Sequence, residues 1–256
     1  MGSGLKSVSL ITPTGDRYES LKLLFKFVMN QTFFAKGGLA DWIIIDDGKT
    51  DASSRAVSEF PESDLANLGI QAFHIRADNR GLQGAKSLAA NILHGLNLAT
   101  ATKIMILEDD DCYLPGYLED MFFRLDSAWA TGTVWQKYYH IPSRSYRVFR
   151  NRGSALCSTG FNAALSPLME EAAKSCLQTG SKGVDARFWH QVQLTDRRLD
   201  IFEPDEDLMI GIKGMPGRGG IGVGHRPKKF RPDPKLSVLR EWVGERYIDD
   251  YKQFVG

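Results

Sequence analysis

Lys103-Ile104-Met105-Ile106-Leu107-Glu108-Asp109-Asp110-Asp111 is the stretch that decides how this chain is read. A short, continuous apolar run of this kind suits a parallel strand covered on both faces. Four carboxylates follow it without a break. They repel one another and disfavour folding unless something neutralises them. A hard divalent cation, Mg²⁺ or Mn²⁺, does so, and such ions also bridge to diphosphates. In open α/β sheets, ligands bind beyond the carboxyl ends of the strands, where these acids stand. A solvated loop with helix-capping acids is the other reading. The strand before it, and Pro115 and an amphipathic helix after it, favour a metal.

Outward from that stretch, strand and helix alternate. Ser7 to Thr12 reads as a buried first strand, followed by the turn Pro13-Thr14-Gly15-Asp16. Tyr18, Leu21, Leu24, Phe25 and Val28 then recur at helical spacing. Trp42 to Ile45 is a second apolar run ended by Asp46-Asp47-Gly48, and Thr50 or Asp51 can cap a helix through about Glu59. Ile70 to Ile75 is a third strand. Ala85, Leu88, Ala89, Ile92, Leu93 and Leu96 mark an amphipathic helix, as do Tyr117, Leu118, Met121, Phe122 and Leu125. The alternation predicts right-handed crossovers and a mostly parallel, Rossmann-like α/β sheet flanked by helices. Later residues are less regular. Strands are expected near Tyr146 to Phe149 and Leu208 to Ile212. Helices are expected at Ser166 to Leu177, at Ala186 to Gln193, and in one final run from Leu236 through Tyr247.

Composition narrows the class. The 256 residues are 43% hydrophobic and 25% charged, ordinary for a globular protein, with a net charge of +1 that does not mark a globally basic nucleic-acid binder. Cys112, Cys157 and Cys176 are too few and too scattered for a disulfide framework or a Cys-x-x-Cys zinc site, and reduced thiols suit a cytoplasmic protein. No apolar run spans a bilayer and no signal peptide opens the chain. Met1-Gly2-Ser3-Gly4 fails the myristoylation pattern, because Lys6 stands where Ser or Thr is needed.

Three ordered segments resemble the nucleotide-binding half of the family-2 glycosyltransferases, which have the GT-A fold. The first is Leu10-Ile11-Thr12-Pro13-Thr14 with its helix and Asn30-Gln31-Thr32. The second is Ile45-Asp46-Asp47-Gly48-Lys49-Thr50-Asp51. The third is Asn79-Arg80-Gly81, a helix, and Ile106 to Asp111 with Pro115 beyond. The resemblance implies a single GT-A domain over 1–256. Its half at about 1–130 would bind a nucleoside-diphosphate sugar, UDP by default. An abutting mixed half at about 131–256, with the C-terminal helix, would serve the acceptor. It further implies that Asp46 and Asp47 contact the nucleoside, with Thr12 and Pro13 flanking the base. Asp110 matches the last acid of the family's Asp-x-Asp motif, a metal ligand; Glu108 takes the first position, with Asp109 between them. Lys86 is the basic residue nearest the position where the family often has an arginine toward the diphosphate.

Gly183-Val184-Asp185-Ala186-Arg187-Phe188-Trp189 resembles the family's acidic motif at a helix start. Direct displacement at an anomeric carbon needs a base for the acceptor hydroxyl, and Asp185 is the candidate. A plain helix N-cap is the alternative. Glu203, Asp205 and Glu206 are further candidates. The glycine-dense Ile212 to Arg226 contains Gly217, Gly219 and Gly222 in Gly-x-Gly-x-x-Gly spacing. No helix-forming run follows, so it reads as a loop closing over a diphosphate rather than a dinucleotide fingerprint. His225 is a candidate metal ligand, and Lys213, Arg218, Arg226 and Lys228 are candidates for the departing diphosphate. From Lys137 to Arg152 there are five basic residues and no acid, interleaved with Tyr138, Tyr139, Tyr146 and Phe149. Such a strip, with Arg144, Arg147 and Arg150 and with Trp189 beside it, suits an anionic acceptor. That acceptor is either a glycan or a hydroxylated base in DNA. A solvated strand face with core aromatics explains the same pattern. Two other functions share these acids: nucleotidyl transfer, which releases pyrophosphate, and a non-catalytic nucleic-acid-binding module, which binds with steep salt dependence.

Overall fold

The computed structural model describes residues 6–79 and 81–255. Met1-Gly2-Ser3-Gly4, and Arg80 of the Asn79-Arg80-Gly81 turn, lie outside the described residues. The first half alternates as its apolar pattern predicts. It runs β1 (Ser7–Thr14), α1 (Tyr18–Met29), the short α2 (Thr32–Ala35), β2 (Leu39–Asp46), α3 (Ala52–Ser58), α4 (Glu62–Asn67), β3 (Ile70–Arg76), α5 (Ala85–Leu98) and β4 (Lys103–Ile106). Then come β5 (Cys112–Tyr113), α6 (Tyr117–Arg124), β6 (Ala130–Thr133), β7 (Trp135–His140), β8 (Ser145–Arg150), β9 (Thr159–Asn162), α7 (Ser166–Thr179), α8 (Val184–Gln193), β10 (Leu199–Phe202), β11 (Met209–Lys213), β12 (Arg231–Pro232), α9 (Ser237–Val243) and α10 (Glu245–Lys252).

A seven-stranded sheet has the order β10-β6-β9-β4-β1-β2-β3. Its β4, β1, β2 and β3 are parallel, and β9 runs antiparallel to both β4 and β6. A five-stranded sheet, β12-β8-β7-β11-β5, stands beside it. The large sheet therefore recruits β6, β9 and β10 from beyond residue 129, and the small sheet takes β5 from the first half. Alternation along β1 divides the interior. Val8 and Leu10 face a core built with α1 (Leu21, Leu24, Phe25, Val28), while Ile11 faces a second core built with α5, α7 and α8. Both faces being covered explains the unbroken apolar runs of β2 and β4.

Two readings change. The single C-terminal helix is two, α9 and α10, broken at Gly244, whose φ of +78° favours glycine and ends the first helix. Asn30-Gln31-Thr32 is a brace. Gln31 is buried, donates to Leu114 O at 2.9 Å and accepts from Leu118 N at 2.9 Å, and Thr32 N donates to Pro115 O at 2.8 Å. These bonds fix the segment that follows the four acids. Among the described residues no helix is long and apolar enough to cross a membrane.

Candidate active site

A cavity of about 1050 Å³ opens beyond the carboxyl ends of β1, β2 and β4, roofed by the glycine-dense segment. The turn after β2 forms one wall. Asp46 is fully buried: its carboxylate accepts from Gly48 N at 2.8 Å and Arg76 Nη1 at 2.5 Å, with His74 Nε2 at 3.2 Å. Burial pushes this carboxyl up, but His74, Gly48 and Arg76 together hold it below its ordinary value. The sequence placed Asp46 on the nucleoside; the structure makes it the framework of the turn, because its oxygens are already partnered. Asp47 is the acid that lines the cavity, held by Arg218 Nη2 at 2.6 Å and by the Ser87 hydroxyl. Thr12 is corrected likewise. It is buried in the core and accepts from Trp42 Nε1 at 3.0 Å, whereas Pro13 lines the cavity.

The acids after β4 form the floor. Asp109 accepts from Thr14 Oγ1 at 2.6 Å and from Arg17 Nη1 at 2.7 Å. Asp110 lies 3.1 Å from Arg17 Nη1, 3.3 Å from Lys213 Nζ and 3.3 Å from His225 Nε2. Asp111 is 2.6 Å from Lys213 Nζ and accepts from Ile212 N at 3.1 Å. Burial pushes Glu108 up to about 8 and Asp111 to about 6, the nearby Lys213 opposing, and it also raises Asp109. Asp110 goes the other way: burial opposes ionisation, but Lys213, Arg17 and His225 hold it well below the carboxylate range. Lys213 was expected on a diphosphate. Its side chain is 5% exposed and its ammonium bridges Asp110 and Asp111, so it holds the acids instead.

His225 sits in a single 3₁₀ turn and reaches the same oxygen of Asp110 that Arg17 does. Burial lowers its pKa to about 4 against the pull of Asp110, so the ring is neutral at pH 7 and keeps a nitrogen lone pair. Ligands of one octahedral ion with bonds of about 2.1 Å stand about 3 Å apart. An ionised carboxylate oxygen and a neutral imidazole nitrogen at 3.3 Å fit that donor set, and Mn²⁺ or Mg²⁺ suits mixed oxygen and nitrogen ligands. Glu108, Asp111 and Cys157 also gather donor atoms within 4.8 Å, but Lys213 already compensates Asp111 there.

Asp185 lines the far wall at the start of α8. Burial raises its carboxyl, while backbone N–H groups of Ala186, Asp185 and Leu156 pull the other way. Other expected residues are elsewhere. Lys86 Cε packs against Gly180 at the end of α7. Trp189 is 2% exposed and donates to Thr159 Oγ1 at 3.0 Å, a core contact rather than an acceptor contact. Arg226 and Lys228 are exposed and do not line the cavity. The basic strip is split by its own strands. Register pairs Tyr138 with Arg147 and Trp135 with Arg150, so Arg147 and Arg150 lie on opposite faces of the β7–β8 hairpin, and Arg144 sits in the turn between the strands. Lys137 is paired with Asp207 at 2.6 Å. Glu203 lies in a separate recess with Arg150 and Arg152, so it does not share the cavity with Asp185.

A sequence profile for glycosyl transferase family 2 matches residues 9–176, well over half of the chain. The chain belongs to this family. No curated protein sequence matches it. Solved structures of similar fold include S. aureus TarS 1-349 in complex with UDP, 12% identical with a TM-score of 0.56 over 80% of this chain and 60% of that one. Another is the mannosyltransferase PcManGT from Pyrobaculum calidifontis in complex with GDP-Man and Mn²⁺, 14% identical with a TM-score of 0.54 over 85% and 59%. At these identities the likeness is one of fold, and this family-2 chain spans about 60% of the length of those structures. Both carry the mostly parallel GT-A architecture seen here. Two residues central to this family-2 cavity escaped sequence reading. Arg17 has no motif around it beyond its place just after the β1 turn. Ser87 stands next to the lysine that was singled out.

Proposed function

We propose that this chain transfers a glycosyl group from a nucleoside-diphosphate sugar to an acceptor hydroxyl with the help of a divalent cation. One observation carries the reading: a single cavity gathers Asp47, the Asp110–His225 pair and Asp185. Asp47 serves the nucleoside end and Asp110 with His225 would hold Mn²⁺ or Mg²⁺. The ion supplies charge stabilisation to the departing diphosphate when bound. Asp185 accepts the acceptor hydroxyl proton, and attack from that wall inverts the anomeric centre. Arg218, which lines the cavity beside Asp47, is a basic residue within reach of a bound nucleoside diphosphate. UDP in the TarS complex and GDP-Man with Mn²⁺ in the mannosyltransferase support a nucleotide sugar as the donor class. The split of Arg147 from Arg150 across the β7–β8 hairpin favours a glycan acceptor over an extended polyanion laid along β8.

A thermal-shift panel tests this. UDP, GDP, CDP and dTDP and their sugars are each tried with Mn²⁺, Mg²⁺ and chelator. Ligand at about 100 times its dissociation constant stabilises the fold by about 2.7 kcal/mol. A cation-dependent shift with one nucleotide, absent in Asp110→Ala, is expected and names the base. No shift with any nucleotide would remove the donor reading.

A further inference from the structure

Each charged end of the cavity is engaged by an arginine of the chain itself. Arg17 Nη1 lies 2.7 Å from Asp109 Oδ1 and 3.1 Å from Asp110 Oδ2. The same Asp110 oxygen faces His225, so the guanidinium stands on the atom that a cation would use. At the other end Arg218 Nη2 holds Asp47 Oδ1 at 2.6 Å. The two arginines are joined. Arg17 Nε donates to Arg218 O at 2.7 Å, and Arg218 N donates to Asp16 O at 3.2 Å. Gly217 permits this approach, with φ of +107° and no Cβ, which would lie 2.3 Å from Asp16 O. The glycine-dense segment thus crosses the cavity as a strap, tied to Arg17, to Thr14 O, Asp16 O and Asp47 through Arg218, and to Lys182 through Ile221 O.

We propose that Arg17 is a positioning residue that competes with a divalent cation for Asp110 and, through its bond to the Arg218 carbonyl, couples arrival of the cation to loosening of the strap. The inference rests on the cation reading given above. Two cations on one carboxylate oxygen repel, so an ion bound at Asp110 displaces the guanidinium from it. A guanidinium is a rigid plane. Swinging Nη1 off Asp110 turns the whole plane, including the Nε–H, and so strains the bond to Arg218 O. The strap then loses its tie to the Arg17 side chain, is left on the bonds of Arg218 to Asp47, Thr14 O and Asp16 O, and loosens.

The test titrates Mn²⁺ alone, with no nucleotide, into wild type, Arg17→Met, Arg17→Lys and Asp110→Asn. Free ion is read by electron paramagnetic resonance and amide exchange of residues 214–222 by mass spectrometry. Arg17→Met should bind Mn²⁺ about tenfold tighter, since a competing charge is gone. Mn²⁺ should speed exchange of the strap in wild type, and Arg17→Met should exchange fast with or without it. Arg17→Lys keeps a charge but has one nitrogen where two are needed, so its strap should loosen at near wild-type Mn²⁺ affinity. A structural role alone would leave Mn²⁺ binding to folded Arg17→Met equal or weaker, which overturns the competition. Mn²⁺ binding to wild type without any change in strap exchange overturns the coupling. Mn²⁺ binding that survives in Asp110→Asn, or that is absent from every variant, overturns the cation reading and this inference with it.

Discussion

Asp110 Oδ2 and His225 Nε2 stand 3.3 Å apart although the residues belong to opposite halves of the sequence. The end of β4 presents the first. The second arrives because β11 pairs with β7 and β5, which returns the chain to the cavity just before the glycine-dense segment. Gly220 packs directly on the imidazole: a Cβ there would lie 1.9 Å from Nε2. The ring position is therefore set by a residue with no side chain.

Gly220→Ala should displace the imidazole and copy His225→Ala. In both, the Mn²⁺-dependent part of nucleotide-induced stabilisation should shrink by about 1.4 kcal/mol for each tenfold loss of affinity. Thermal shift with and without chelator measures it. Full retention of the cation-dependent shift in Gly220→Ala would disconnect the ring from the ion.

The Asp185 carboxyl is raised by burial, and a base works only when ionised. The acid limb of kcat/KM should therefore lie above the ordinary aspartate value of about 3.9. Asp185→Asn should lower kcat by about 10²- to 10⁴-fold and abolish that limb. The measurement is a pH–rate profile of both proteins with donor saturating. An unchanged limb in Asp185→Asn would move the proton to another group.

How far this was legible follows from particular residues. β2 and β4 could be read because Trp42-Ile43-Ile44-Ile45 and Ile104-Met105-Ile106-Leu107 are apolar on both faces. β6 (Ala-Thr-Gly-Thr) and β9 (Thr-Gly-Phe-Asn) are only four residues long, and Gly132 and Gly160 interrupt their strand-favouring Thr and Phe. They are strands because each pairs with distant partners in the large sheet. The strand-end acids were legible as a set. Which member of each pair faces the cavity was not, because that depends on which way the alternation falls at the ends of β1 and β2. Asp46 turns inward to Arg76 while Asp47 reaches the cavity, and Thr12 turns to Trp42 while Pro13 lines it. The alternation that separates Arg147 from Arg150 follows from the period of β8 alone, which contains both residues. The strand was read only from Tyr146 to Phe149, short of Arg150, so a strip for an anionic acceptor and a solvated strand face both stayed open.

Glu203 stands in the recess with Arg150 and Arg152, apart from the cavity that Asp185 lines. Glu203→Gln should leave kcat and KM for donor within about twofold and stability within about 0.5 kcal/mol, as for an ordinary surface change. Steady-state kinetics beside Asp185→Asn decides between the two acids. A large kcat loss in Glu203→Gln with Asp185→Asn active would reverse the assignment.

Asp46 predicts a stability effect with a defined pH window. Its folded pKa is lowered, so the stabilisation is fully present above the unfolded value of 3.8 and is lost as pH falls through the folded value. Asp46→Asn keeps the shape but removes the charge that Arg76 and His74 meet, and Arg76 also ties Gly48 O and Thr50 O into the turn. At pH 7 the variant should lose about 2 kcal/mol, or about 4–8 °C in Tm. Between pH 7 and 5 that deficit should stay constant, and it should narrow below about pH 4 as wild-type Asp46 takes up its proton. Denaturant melts of both proteins across this range measure it. A deficit that grows on acidification would mean that Asp46 is protonated in the folded turn, and the hydrogen bonds assigned to its carboxylate would have to be redrawn.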